Sequence, residues 1–138
     1  MNTDLEQRDG TEFNVWIIAK LIVGTVLLIK AADGYFTLWS LDNYSLEGRE
    51  IIKTVQESGA ANFVVTTIHF VAGGFLIWNT LVPAFSIVAT CIFAFATSFE
   101  LIYGASTISQ VIVLIGLALS IALSLRYRNK LNKVLVGE

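Results

Sequence analysis

Four apolar runs, each close to 20 residues long, occupy most of this 138-residue chain. A helix rises about 1.5 Å per residue and the hydrocarbon core of a bilayer is about 30 Å thick, so each run has the length of one crossing. They extend from about Phe13 to Ala32, Ala61 to Leu81, Pro83 to Tyr103 and Thr107 to Leu125. Backbone N–H and C=O groups find no water in hydrocarbon, so such runs must be helices. The expected fold is all-α: an integral membrane four-helix bundle, left-handed, in one domain over residues 1–138. A short amphipathic surface helix is expected between the first and second spans, and a basic tail over 126–138.

Composition closes the main alternative. At 55% hydrophobic and 14% charged residues, with a mean hydropathy of +0.70, a soluble monomer of this size would lack the polar surface to cover its own core. A net charge of −2 lacks the Lys/Arg excess of a nucleic-acid-binding face. The single cysteine, Cys91, excludes an intramolecular disulfide and reads as a small apolar core residue.

The polar segments punctuate the runs. Residues 1–12 are polar, with Asp4, Glu6, Asp9 and Glu12 against Arg8, and lie in water; with an acidic n-region and a long following apolar run they do not read as a secretory signal. Lys20 sits less than two turns inside the first run, where its stem can reach the headgroups, and Trp16 marks the same interface. Beyond Lys30 a tilted extension of the helix is expected to end near Leu41. In the connection that follows, Tyr44, Gly48, Ile51, Ile52 and Val55 fall near helical spacing while Glu47, Arg49, Glu50, Lys53 and Glu57 face elsewhere. That pattern fits a helix on the membrane surface or a solvated loop helix, with Gly59 as its stop. Trp78 marks an interface, Asn79 and Thr80 are capping types, and Pro83 suits a first helical turn, which predicts a tight hairpin.

Orientation follows from the basic residues. Arg126, Arg128, Lys130 and Lys133 crowd the end of the last span, whereas neither short turn carries a Lys or Arg. Both termini and the Asn79 turn are therefore expected on the cytoplasmic side of a plasma (inner) membrane. The basic tail anchors this topology or binds anionic headgroups or a partner.

Small residues mark where helices can approach in lipid. Ser86, Thr90, Ala94 and Ser98 recur every fourth position in the third span, and Gly116, Ser120 and Ser124 in the fourth, with Gly24, Gly73 and Gly74 as further contact points. These stripes close the bundle on itself or meet another subunit. Ionisable groups within a membrane are expensive and by default functional candidates. Lys30, Asp33, His69 and Glu100, with Thr66, Thr67, Ser109 and Gln110, are expected at similar depths in the outer half, forming one polar cluster if they face inward. They then serve as a proton relay or small-ligand site; otherwise Lys30 pairs with Asp33, Glu100 meets the water boundary and His69 bonds a local oxygen. One histidine per chain cannot supply bis-histidine haem ligation unless a homodimer brings two copies together. No catalytic set, phosphate loop or metal site is recognisable, so no catalytic residue, metal or cofactor is assigned.

AKLIVGTVLLI in the first span, the surface helix, AGGFLIWN in the second span and FELIYGAST leading into the fourth resemble a family of small four-helix prokaryotic membrane proteins of unknown function. Lys20 with Gly24, and Glu100 with Tyr103, take the places of that family's lysine and glycine in the first helix and its acidic and aromatic residues closing the third. Val71-Ala72-Gly73-Gly74 departs from it, lacking the family's glutamate before the glycine. A fainter similarity is to four-helix proteins associated with quinone-linked thiosulfate oxidation. By elimination, the expected function is a non-catalytic accessory or stabilising subunit of a larger membrane complex, with lipid and other membrane subunits as partners and a homo-oligomer as an option. A proton-coupled carrier using the polar cluster and a quinone-linked redox component are the alternatives.

Overall fold

Apolar and small residues recurring at alternating three- and four-residue steps set the inward face of each long helix. In the computed structural model, which describes the backbone of residues 3–36, 42 and 44–136 and the side chains of 15–33, 42 and 44–130, the elements are five helices. They are α1 (Thr3–Phe36), α2 (Leu46–Glu57), α3 (Gly59–Ile77), α4 (Val82–Tyr103) and α5 (Thr107–Val136). No strand occurs among the described residues; one isolated bridge pairs Tyr44 with Gly104. Four helices are long and apolar enough to cross a membrane, over Val15–Asp33, Gly59–Ile77, Val82–Tyr103 and Thr107–Lys130. Residues 37–41, into which the first helix was expected to extend, lie outside the described residues, as does the side chain of Lys133.

Packing follows chain order. α1 lies against α3 and α4 against α5, while α3 with α4 and α5 with α1 close the ring; α2 rests across the end where α3 begins and α4 finishes. The tightest approach is at two glycines. A Cβ on Gly73 would stand 2.8 Å from the Gly24 carbonyl oxygen, and one on Gly24 2.9 Å from that of Gly73 and 2.6 Å from Ile77 Cγ1. Backbone therefore meets backbone, and no other residue type fits without spreading the pair. On α1 this contact lies in the buried row Ala19, Lys20, Val23, Leu27 and Ala31. On the other pair, Gly116 receives the ring of Phe93, and Thr90 Oγ1 and Ser124 Oγ lie 3.0 Å apart across α4 and α5.

The small-residue stripes are split by helical geometry. Ser86, Ser120 and Gly116 are buried, and Thr90 and Ser124 half-buried, within the α4–α5 contact; Ala94 and Ser98 face outward. Each four-residue step turns about 400°, so a row of four drifts by about 120° and leaves the contact. The buried line on α4 instead mixes steps of three and four: Ser86, Ala89, Phe93, Thr97 and Glu100. Cys91 is likewise on the outward face, which corrects its expected place in the core. The rest of the outer surface is strongly apolar, with Ile18 and Leu21 on α1, Phe63 and Phe70 on α3, Phe95 on α4 and Ile115 on α5 all exposed.

The α3–α4 hairpin is closed by Asn79. Thr80 N–H donates to Phe75 O (2.9 Å) and Asn79 N–H to Leu76 O (3.2 Å), with Asn79 left-handed at φ 57°, which is a Schellman motif with asparagine in the usual glycine place. Leu81 is also left-handed (φ 51°) immediately before α4, whose first turn holds Pro83. α2 begins at Ser45, whose hydroxyl accepts from Gly48 N–H at 3.2 Å. Its Gly48 and Ile52 are buried, and a Cβ on Gly48 would meet Tyr103 Cβ at 2.7 Å, so α2 packs on the bundle while Ile51 stays exposed.

Gly73→Val should lower the thermal stability of the purified protein by about 1–3 kcal/mol through overpacking at the α1–α3 contact. Gly59→Ala, where a Cβ meets nothing within 4 Å, is expected to leave stability unchanged or slightly raised in the same unfolding measurement.

Candidate functional site

Among the described residues two ionisable side chains are almost fully buried within the long helices, one near each end of the bundle: Lys20 at 4% exposure and Glu100 at 3%. Lys20 was expected to reach outward to headgroups. It turns inward instead, because α3 ends at the same level and Asn79 there presents its side-chain oxygen: Lys20 Nζ donates to Asn79 Oδ1. The ammonium also lies 5.6 Å from the centroid of the Tyr127 ring, and Lys130 Nζ lies 5.3 Å from the same ring. Arg126 stands 5.7 Å over Trp16. Cations on ring faces are attracted by the ring quadrupole, so this end is a layer of aromatic and basic residues where α1 meets α5. Arg128 is exposed.

The other end is built around Glu100. It lies one turn before the end of α4, on the helix face that Ser86, Ala89, Phe93 and Thr97 also occupy. Tyr44 O–H donates to Glu100 Oε1 at 2.6 Å. Two contacts hold Tyr44 in place: its bridge to Gly104, which includes Ser45 N–H donating to Tyr103 O at 2.8 Å, and Arg49 Nε–H donating to the Tyr44 carbonyl at 3.0 Å. Its ring stands 5.7 Å from that of Phe99, which stands 5.0 Å from that of Tyr103. Burial above all, then the Glu100 hydrogen bond and the charges of Glu100 and Asp33, push the Tyr44 phenol well above its ordinary range, so it remains a donor throughout the physiological range.

Neutral groups complete the surroundings. Gln110 Nε2–H donates to the carbonyls of Glu100 (3.2 Å) and Gly104 (3.4 Å), tying the start of α5 to the end of α4. Gly104 is required here because a Cβ would collide with the main-chain and carboxylate oxygens of Glu100. Glu100 Oε2 is buried and has no hydrogen-bond partner among the described residues.

The four residues expected to cluster are divided. Glu100 is joined to Tyr44, and Asp33 is near enough to act electrostatically on that phenol. His69 Nδ1 lies 2.8 Å from Val65 O on its own helix, and Lys30 is within electrostatic reach of its ring. His69 stands about 15 Å along α3 from its start, whereas Glu100 is only about 5 Å from the end of α4, so the two lie at different depths. No hydrogen bond links His69 to Glu100. Among the described residues no group of three or more His, Cys, Asp or Glu side chains is gathered as metal ligands.

Gln110, expected near Glu100, does bond its carbonyl, whereas Tyr44, Asn79 and Tyr127 carry site interactions that the sequence reading did not assign. The bonds of Tyr44 and Asn79 span 56 and 59 residues, so no local spacing reveals them. A usable signal for Asn79 was its place just past an interfacial tryptophan, level with a lysine inside the first span.

Tyr44→Phe removes the donor to Glu100 and should cost about 1–3 kcal/mol, the penalty of a buried acceptor left unsatisfied. Amide hydrogen exchange across Leu46–Glu57 should accelerate with it, while exchange at the Gly24–Gly73 contact stays unchanged. The chain matches no protein-family model, no curated protein and no solved structure.

Proposed function

We propose that this chain is a multi-pass membrane protein, embedded by four helices in a plasma (inner) membrane, that serves as an accessory or stabilising subunit of a larger membrane complex. The observation that carries the reading is how the helices distribute their chemistry. Large apolar side chains cover the outward faces, while buried hydroxyls and Lys20 are bonded within the bundle, as in Ser86 to Val82 O (2.6 Å) and Ser120 to Gly116 O (2.7 Å). A bundle whose buried hydroxyls and lysine are bonded inside and whose outer faces are apolar is suited to lipid and to the apolar flanks of other membrane proteins. α1 adds a shallow apolar groove lined by Ile18, Leu21, Ile22, Thr25 and Val26. The basic layer of Lys20, Arg126, Arg128 and Lys130 supports assigning that end, with both termini, to the cytoplasmic side.

A second reading, a small proton-coupled carrier, is favoured by one observation: Glu100 Oε2 has no hydrogen-bond partner among the described residues. It would operate through Glu100 and Tyr44, without a relay to His69.

Gentle detergent extraction from native membranes followed by native mass spectrometry separates these readings. Stoichiometric co-migration with a larger membrane protein is the expected result. A lone monomer or homo-oligomer that moves protons in vesicles, and loses that activity in Glu100→Gln, would favour the carrier.

A further inference from the structure

Glu100 places a carboxylate where its charge is poorly matched. Removing an ionised carboxylate from water costs several kcal/mol unless a counter-charge or a full set of donors replaces the lost hydration. Among the described residues Oε1 has one neutral donor, the Tyr44 phenol, and Oε2 has none. The groups around it do not make up the difference. From α5 comes the uncharged Gln110, whose amide is already committed to two backbone carbonyls. From α2 comes Arg49, whose Nε is committed to the Tyr44 carbonyl, and α1 adds a further negative charge, Asp33, acting on the same phenol. α4 itself contributes Tyr103, its ring tilted against that of Phe99. α3 carries His69, some 10 Å deeper along the bundle and bonded to Val65 O.

The flank of Oε2 is also shaped. Gly104 turns a bare Cα toward it, and any side chain there would strike the carboxylate. The Tyr44–Ser45 segment and the first turn of α2 lie over the same end, through the Ser45–Tyr103 hydrogen bond and the close fit of Gly48 on Tyr103.

We propose that Glu100 Oε2 is the binding atom for a single positive charge, a proton or an alkali-metal ion, taken up at the α2 end of the bundle, with Tyr44 fixing the carboxyl through its other oxygen. This goes beyond an accessory role and does not depend on it. Loading the site neutralises Glu100 and keeps the Tyr44 segment docked; unloading it leaves a buried anion against the Tyr44 phenol and weakens that docking. A cation held by the folded chain stabilises it, so stability falls as the cation is withdrawn.

The test is thermal unfolding of the full-length protein in detergent, from mildly acid to mildly alkaline pH, in choline, sodium or potassium chloride. Wild type should lose about 5 °C or more toward alkaline pH in choline chloride. Glu100→Gln, whose amide supplies a hydrogen where the proton would sit, should show a much flatter profile. A wild-type loss that sodium or potassium does not reverse identifies the proton; one that either salt reverses, while choline does not, identifies an alkali-metal ion. Identical pH and salt dependence in wild type and Glu100→Gln would overturn the proposal. Should the variant fail to fold, wild type treated with an apolar carbodiimide, which reacts with protonated carboxyls, gives the second readout. An adduct at Glu100 that declines with rising pH or with added sodium or potassium is expected, and absence of any adduct at Glu100 across the pH range would overturn the proposal.

Discussion

The spacing of the bundle depends on the backbone contact between Gly24 and Gly73. In lipid there is little hydrophobic drive for one apolar helix to prefer another over acyl chains, so association relies on close packing and interior hydrogen bonds. Two facing glycines supply the first of these, bringing the Gly24 and Gly73 carbonyls within van der Waals reach of the opposite helix. That approach buries Val23, Leu27, Ala72 and Leu76 as one layer and draws Lys20 to the level of Asn79. The α4–α5 pair uses the other device as well, with Phe93 seated on Gly116 and a hydroxyl pair between Thr90 and Ser124.

Each end of this scaffold then carries one buried charge, and the two are treated differently. Lys20 finds a carbonyl oxygen and an aromatic face, both suited to a cation. Glu100 finds a single phenol. The phenol is supplied by the long connection rather than by a span, so the carboxylate's chemistry is coupled to whether that connection is docked. The apolar layer between the ends, which includes Leu27, Leu76 and Leu123, separates the two charges.

Much of the architecture was legible because it depends on length and composition. Each apolar run corresponds to one long helix, and the periodicity of Tyr44, Gly48 and Ile52 marks the side by which α2 and its approach pack. Boundaries moved where local chemistry intervened: the second run was expected to reach Leu81, but α3 stops at Ile77 because Asn79 adopts the left-handed conformation that completes its cap. Helix rotation was not legible. A regular four-residue stripe looks like a contact face yet drifts out of it, which is why Ala94 and Ser98 face outward and Glu100 falls inside. Lys20 illustrates the other limit, since a lysine one or two turns inside a span reads as an interfacial anchor until the acceptor on a neighbouring helix is known. The candidate site itself was visible only as its acid; Tyr44 required the fold.

The central claim is that four helices cross a membrane and place the Asn79 turn and the Glu100 site on opposite faces. It is tested most directly by single cysteines in a Cys91→Ser background, placed at Ala60, Thr80, Ala105 and Asn129, and probed in intact cells with a membrane-impermeant thiol reagent. The account predicts that Ala60→Cys and Ala105→Cys react from outside, and that Thr80→Cys and Asn129→Cys react only after the membrane is opened. Reaction of all four positions from the same side would contradict it.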